Sequence, residues 1–151
     1  MDTQEKELTA YCGLYCGDCI RYNSKAPKLA YDLKEELQRV QFDRYAEVKS
    51  LSVKEFKHYK ECLEVLDAIA ELQCNNTCRG GGCPTFNCKI IECCNSKGLE
   101  GCWECIACEN CKERDFLEPF HGDLPKKNLR KIKEVGLEKW LEHREKFFTW
   151  L

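Results

Sequence analysis

Ten of the chain's fourteen cysteines fall in the 38 residues from Cys74 to Cys111, CNNTCRGGGCPTFNCKIIECCNSKGLEGCWECIACENC. Too many positions there are Cys, Gly, Asn or charged for the stretch to bury an ordinary apolar core. Such a segment orders when its sulfurs are tied to something, and the rest of the chain is expected to be organised around that tie. At 151 residues the chain is long enough to bury a core without staples, so the cysteines do not stand in for missing size. The net charge of −2, with 33% charged residues, gives no general attraction to nucleic acid or to an anionic membrane. The first residues, MDTQEKELTAYCG, have neither a basic nor an apolar signal region, and no run approaches the roughly 18 apolar residues of a membrane span. The expected location is therefore the cytosol. Thiols stay reduced there, and clustered cysteines serve metals or redox chemistry more often than disulfides.

A second cysteine motif lies near the start. Residues 11–19, YCGLYCGDC, space Cys12, Cys16 and Cys19 as Cys-x3-Cys-x2-Cys, with Gly13 and Gly17 each following a cysteine. Small residues let backbone N–H groups turn toward a sulfur, and glycine can take the positive φ of such a turn. Three sulfurs leave one position of a tetrahedral site to be filled from elsewhere. The spacing is also that of the radical S-adenosylmethionine cluster loop. That fold needs a large strand–helix half barrel, and the chain has too few β-type runs to build one.

In the main stretch, Cys74-x3-Cys78 and Cys83 bracket Arg79 and Gly80–Gly82. The glycines lack the Lys-Ser/Thr ending and the preceding strand of a phosphate loop, so they read as a flexible connection between ligands. Pro84 to Lys97 reads as a short helix closed by Gly98, with Cys88 and Cys93 on different faces. Cys102-x2-Cys105 is a zinc half-site, continued at the same step by Cys108 and Cys111. At three-residue steps the four sulfurs are too spread to close on one ion, so the run is expected to divide between sites. The bacterial ferredoxin pattern differs, with a longer last gap and a following proline where this chain has Lys112. Trp103 reads as a packing residue over the cysteines.

The remaining segments read as helices. Residues 25–50 are expected to be helical from Pro27, with Leu29, Leu33, Leu37 and Val40 as a core-facing stripe. Residues 51–73 carry a capping box, Ser52 and Glu55, before a face of Phe56, Tyr59, Leu63, Leu66, Ile69 and Ala70. Cys62 reads as a small buried residue, and His58, His121 and His143 form no ligand pattern. Asp123 is the expected N-cap of a helix bearing Leu129, Ile132 and Val135. A further helix places Leu137, Trp140, Leu141, Phe147 and Phe148 on one side. Lys126, Lys127, Arg130, Lys131 and Lys133 lack the interleaved aromatics of a nucleic-acid patch and read as a solvated face.

The blocks Cys12-Gly-Leu-Tyr-Cys-Gly-Asp-Cys19, Cys74-x3-Cys78, Cys88-Lys-Ile-Ile-Glu-Cys93, Lys97-Gly98-Leu99, Cys102-Trp-Glu-Cys105 and Cys111 together resemble the domain of unknown function family numbered 3795, from about Tyr11 to Lys112. Its members are small cysteine-rich prokaryotic proteins regarded as zinc-binding, with no established activity. The resemblance implies ligand roles for Cys12, Cys16, Cys19, Cys74, Cys78, Cys88, Cys93, Cys102, Cys105 and Cys111, with Cys83 as an extra. Cys62, Cys94 and Cys108 fall outside it.

These readings give a mostly α protein of one domain spanning 1–151. The helical part is expected over about 25–73 and 124–150, and a loop-rich metal lobe over about 11–20 and 74–112. Two zinc ions with four thiolates each are the expected cofactors, and an iron–sulfur cluster in an electron-transfer or redox protein is the alternative. The expected role is a structural zinc module for a protein partner, with nucleic acid left open as a partner and no membrane association. No Ser/His/Asp set, HExxH, P-loop or dinucleotide motif points to an enzyme, although thiol catalysis stays open.

Overall fold

The computed structural model describes residues 3–82 and 87–144, and these are mostly helical, as the sequence indicated. Among them no helix is long and apolar enough to cross a membrane. The chain divides into two compact units, Met1–Tyr22 with Cys74–Leu151, and Asn23–Gln73. The helices group differently from the expectation of one helical part: the C-terminal ones belong with the cysteine segments. The reason is that the cysteine segments use those helices as their apolar cover.

In the first unit, α1 (Thr3–Glu7) leads into a tight hairpin. Thr9 and Tyr15 form an antiparallel bridge, and Gly13 N–H donates to Ala10 O at 2.9 Å. Gly13 sits at φ +83, as the turn demands. After a 3-10 turn at Cys16–Asp18, α2 (Ile20–Asn23) leads toward the second unit.

The second unit holds α3 (Ala26–Arg39), α4 (Phe42–Lys49) and α5 (Tyr59–Ala70). Pro27 lies in the first turn of α3, as expected. The single helix over 25–50 does not form, because Gln41 adopts a left-handed conformation at φ 53 and splits it. No Gly or Pro marks that break. The stripe is not a core: Leu29, Leu33 and Val40 are exposed, and in this unit only Pro27, Ala30 and Ala46 are buried. The capping box also fails. Ser52 Oγ donates to Lys49 O at 3.2 Å, a local bond that competes with capping, and residues 54–58 form a 3-10 turn before α5. Cys62 is exposed, not buried. The expected face is correct in kind: Tyr59, Leu63, Leu66, Ile69 and Ala70 are the half-buried positions of α5, and Phe56 of the preceding 3-10 turn is half-buried too. Phe42 anchors this unit, with its ring centroid 5.3 Å from that of Tyr59 and 5.5 Å from that of Phe56. A Lys34–Asp67 ion pair joins α3 to α5.

Back in the first unit, α6 (Lys89–Ser96) starts at Cys88 and ends before Gly98 at φ +64. Short 3-10 turns at Cys102–Glu104, Cys108–Asn110 and Lys112–Leu117 carry the chain to α7 (Glu118–His121). Then come α8 (Leu124–Val135), with Asp123 at its N-cap, and α9 (Leu137–His143). The Asp123 side chain makes no capping bond. Phe147 and Phe148 lie outside the described residues. The core of this unit joins Ala10 and Cys12 to Ile90 and Cys94 of α6, to Cys102, Trp103 and Cys108, and to Leu129, Ile132, Trp140 and Leu141. The basic residues of α8 are exposed and partly paired: Arg130 with Glu109 at 2.8 Å, Lys131 with Glu134 at 3.1 Å and Lys127 with Asp123 at 3.2 Å.

The hairpin is locked onto α8. Asn128 Nδ2 donates to Gly13 O at 2.8 Å, and a Cβ on Gly13 would stand 3.0 Å from Leu129 Cγ. Gly13→Ala therefore combines a left-handed backbone cost of about 1–2 kcal/mol with crowding of at least about 1 kcal/mol. Gly98 has open space around it, and Gly98→Ala carries the conformational part alone. Thermal unfolding of the two variants is expected to show the larger fall in Tm for Gly13→Ala; equal falls would remove the packing argument.

Candidate metal centre

Twelve of the thirteen described cysteines lie in the first unit, and Cys62 alone lies in the second. None is in a disulfide. Cys83, the extra ligand candidate, lies outside the described residues. Backbone bonds bring the distant cysteine segments together. Cys74 N–H donates to Arg21 O at 3.0 Å, and Cys102 N–H donates to Tyr11 O at 2.8 Å. The N-terminal segment is thereby joined to the cysteine-rich stretch at its start and again at Cys102.

Arg79 completes this joint. Its Nε donates to Thr9 O and its Nη2 to Glu100 O, each at 2.7 Å. Its guanidinium lies 4.5 Å from the Tyr11 ring centroid and 5.6 Å from that of Trp103. Trp103 is buried and stands against Gly101, where a Cβ would meet its ring at 2.3 Å. Gly17 does the same for Tyr15, since a Cβ there would also meet the ring at 2.3 Å.

The thiols fall into neighbourhoods. Around the N-terminal motif, Cys78 hydrogen-bonds Cys16 through side chain and backbone, and the charge of Arg79 adds to the effect; together they bring the Cys16 thiol down to about 7 against the pull of burial. Burial pushes Cys12 up to about 12, and nearby Cys88 and Cys16 add to the rise. Cys74 is raised by burial and further by the charges of Cys19 and Cys16, against the lowering pull of a backbone hydrogen bond with Asn76 and the charge of Arg21. Around Lys97 lie Cys93, Cys105 and Cys111. The hydrogen bond with Cys93 and the charges of all three hold the ammonium above its ordinary value.

The run from Cys102 to Cys111 alternates by burial. Cys102 and Cys108 are inside, whereas Cys105 and Cys111 are half-buried. Cys94 Sγ lies 3.8 Å from Cys102 Sγ. The bond between them favours Cys94 as the thiolate and, with burial, raises Cys102. Cys94 is 1% exposed, and sequence reasoning placed neither it nor Cys108 in the site. Among the described residues no group of three or more His, Cys, Asp or Glu side chains is arranged to hold a metal ion. The thiols meet in pairs, and the donor set is soft sulfur throughout, the kind that suits zinc, copper(I) or an iron–sulfur cluster.

A family model described as a protein of unknown function (DUF3795) matches residues 8–115. The chain belongs to that family. The matched span takes in every cysteine of the chain. No curated protein and no solved structure matches the chain.

Two measurements bear on this centre. Arg79→Ala removes two charged hydrogen bonds and a stacking contact, with an expected loss of about 2–4 kcal/mol in denaturant unfolding. Arg79→Lys, which keeps the charge without the planar fork, is expected to recover less than half of it; full recovery would show that charge alone is needed. His121 is half-buried, and burial holds its pKa below the ordinary 6.5. The unfolded chain binds the proton more readily, so this residue's contribution to stability is present above pH 6.5 and is lost as the pH falls through the folded value. An NMR titration of the His121 ring is expected to give a midpoint below 6.5; a midpoint at or above it would reverse the sign.

Proposed function

We propose that this DUF3795 protein is a structural zinc module whose cysteine lobe is held by about two ions, each closed by thiolates. The reading is supported by one observation above all: cysteines from different segments meet in pairs, Cys16 with the distant Cys78 and Cys94 of α6 with Cys102 eight positions on, inside a single compact unit. The ligands would be drawn from Cys12, Cys16, Cys19, Cys74, Cys78, Cys83, Cys88, Cys93, Cys102, Cys105 and Cys111. Zinc would supply cross-links between segments that have little apolar surface of their own. Structural zinc contributes an apparent ~10–16 kcal/mol in small zinc peptides. A site closed by four thiolates keeps no open position for a substrate, so the role is to shape a binding surface for a partner and not to catalyse.

Elemental mass spectrometry on anaerobically purified protein, with an absorption spectrum of the same sample, tests this reading. About two zinc per chain and no visible band are expected. Iron with sulfide and a broad visible band would replace the reading with electron transfer. Metal removal by a chelator is expected to open residues 74–112 to protease while α3 and α5, whose unit holds Cys62 alone among the cysteines, stay helical. A lobe that stays protease-resistant after complete metal removal would defeat the structural role. Because bound thiols must lose their protons, zinc is also expected to be released progressively as the pH is lowered.

A further inference from the structure

Two buried features of the first unit remain unexplained by the sequence motifs. The first is the Cys94–Cys102 pair. A tetrahedral ion bound at about 2.3 Å to each sulfur separates its sulfurs by about 3.8 Å. The two Sγ atoms already stand at 3.8 Å. Both residues are buried, at 1% and 8% exposure, so water offers neither sulfur much solvation as a thiolate.

The second is Arg114, which is 4% exposed. A buried guanidinium demands a compensating anion. Among the described residues no carboxylate stands within ion-pair distance of Arg114, and the carboxylate that feels its charge, Glu109, is already paired with Arg130 at 2.8 Å. Arg114 donates instead to Cys108, to the carbonyl oxygen through Nη2 and to Sγ through Nη1 at 3.5 Å, and its Nε has no partner among the described residues. The groups nearest to supplying the missing negative charge are sulfurs. Cys108 is the sulfur it touches, and Cys108 shares one buried cluster with Cys94 and Cys102.

We propose that Cys94 is a metal ligand sharing one soft divalent cation with Cys102, and that the buried guanidinium of Arg114 neutralises the negative charge of that thiolate site. The proposal rests on the metal reading of the lobe and adds to it a ligand that the spacing motifs omit and a positioning cation. The other two buried thiols of the same core cluster, Cys12 and Cys108, are those from which the remaining positions would be drawn. Four thiolates around a divalent ion carry a net double negative charge, so one buried arginine offsets half of it. The same cation would be a liability beside neutral thiols, because among the described residues no carboxylate is in ion-pair contact with it and its Nε has no hydrogen-bond partner.

The test uses the full wild-type chain loaded with cadmium-113 in place of zinc. Scalar coupling between the metal nucleus and cysteine β protons identifies the bound sulfurs without any substitution. The expected result is one cadmium resonance coupled to the β protons of both Cys94 and Cys102. Coupling to other cysteines but not to Cys94 would overturn this proposal and leave the metal reading standing. No cadmium resonance at all would overturn both. For the arginine, Arg114→Met is expected to weaken cadmium binding by about 10–100-fold in chelator competition, as outer-shell substitutions do. Arg114→Lys is expected to restore most of the affinity. Unchanged affinity in Arg114→Met, or no rescue by lysine, would remove Arg114 from the site.

Discussion

The first unit depends on the clasp that Arg79 makes. One guanidinium holds the backbone of Thr9 and of Glu100 and lies over Tyr11 and Trp103. Three stretches meet there: the N-terminal hairpin, the Cys78 loop and the approach to Cys102. Each is short and poor in apolar side chains, so none could fix another by burial alone. A planar cation with several donors solves this locally, since it bonds two carbonyls in its plane and two aromatic faces above it. The cysteines of three segments are aligned as a by-product. A second arginine does the same at the other rim, where Arg144 pairs with Asp18 and stacks 3.7 Å from the Tyr15 centroid.

This arrangement accounts for the unusual character of the core. A unit that buries Ile90, Leu129, Ile132, Trp140 and Leu141 has an ordinary apolar centre. It also buries Cys12, Cys94, Cys102 and Cys108 among those residues, and sets Arg114 and the half-buried Arg79 beside them. Neutral thiols would need no cations nearby. Positive charge placed in the interior is costly unless a partner meets it, and the partner in contact with Arg114 is Cys108, through its carbonyl oxygen and its sulfur.

Much of the architecture was legible. Pro27, Gly98 and Asp123 marked helix ends correctly, and the face of α5 and the inward residues of α8 and α9 followed from periodicity. The failures share a cause. Leu29, Leu33 and Val40 keep helical spacing yet lie exposed, because periodicity reports that a face is apolar and not that anything covers it. The break at Gln41 has no Gly or Pro to announce it. Ser52 had an alternative acceptor one turn back, so the box pattern did not cap. The grouping of α8 and α9 with the cysteines was invisible for a different reason: it is set by long-range contacts such as Asn128 with Gly13, which no local window contains.

The candidate site was read from spacing, and spacing is blind to which side of an element a cysteine takes. Cys93 and Cys94 are neighbours, and on a helix neighbours point about 100° apart, so only one can face the core. Ile90 settles which. It stands four positions before Cys94, on the same face, and both are almost wholly buried, at 2% and 1% exposure. The Ile90–Cys94 step was therefore a readable signal that Cys94 turns inward and Cys93 outward. The ligand set included Cys93 because the family resemblance takes in the block from Cys88 to Cys93. The helix instead turns Cys94 into the core, where its sulfur stands 3.8 Å from that of Cys102, and the side a residue takes is what a motif spacing does not report.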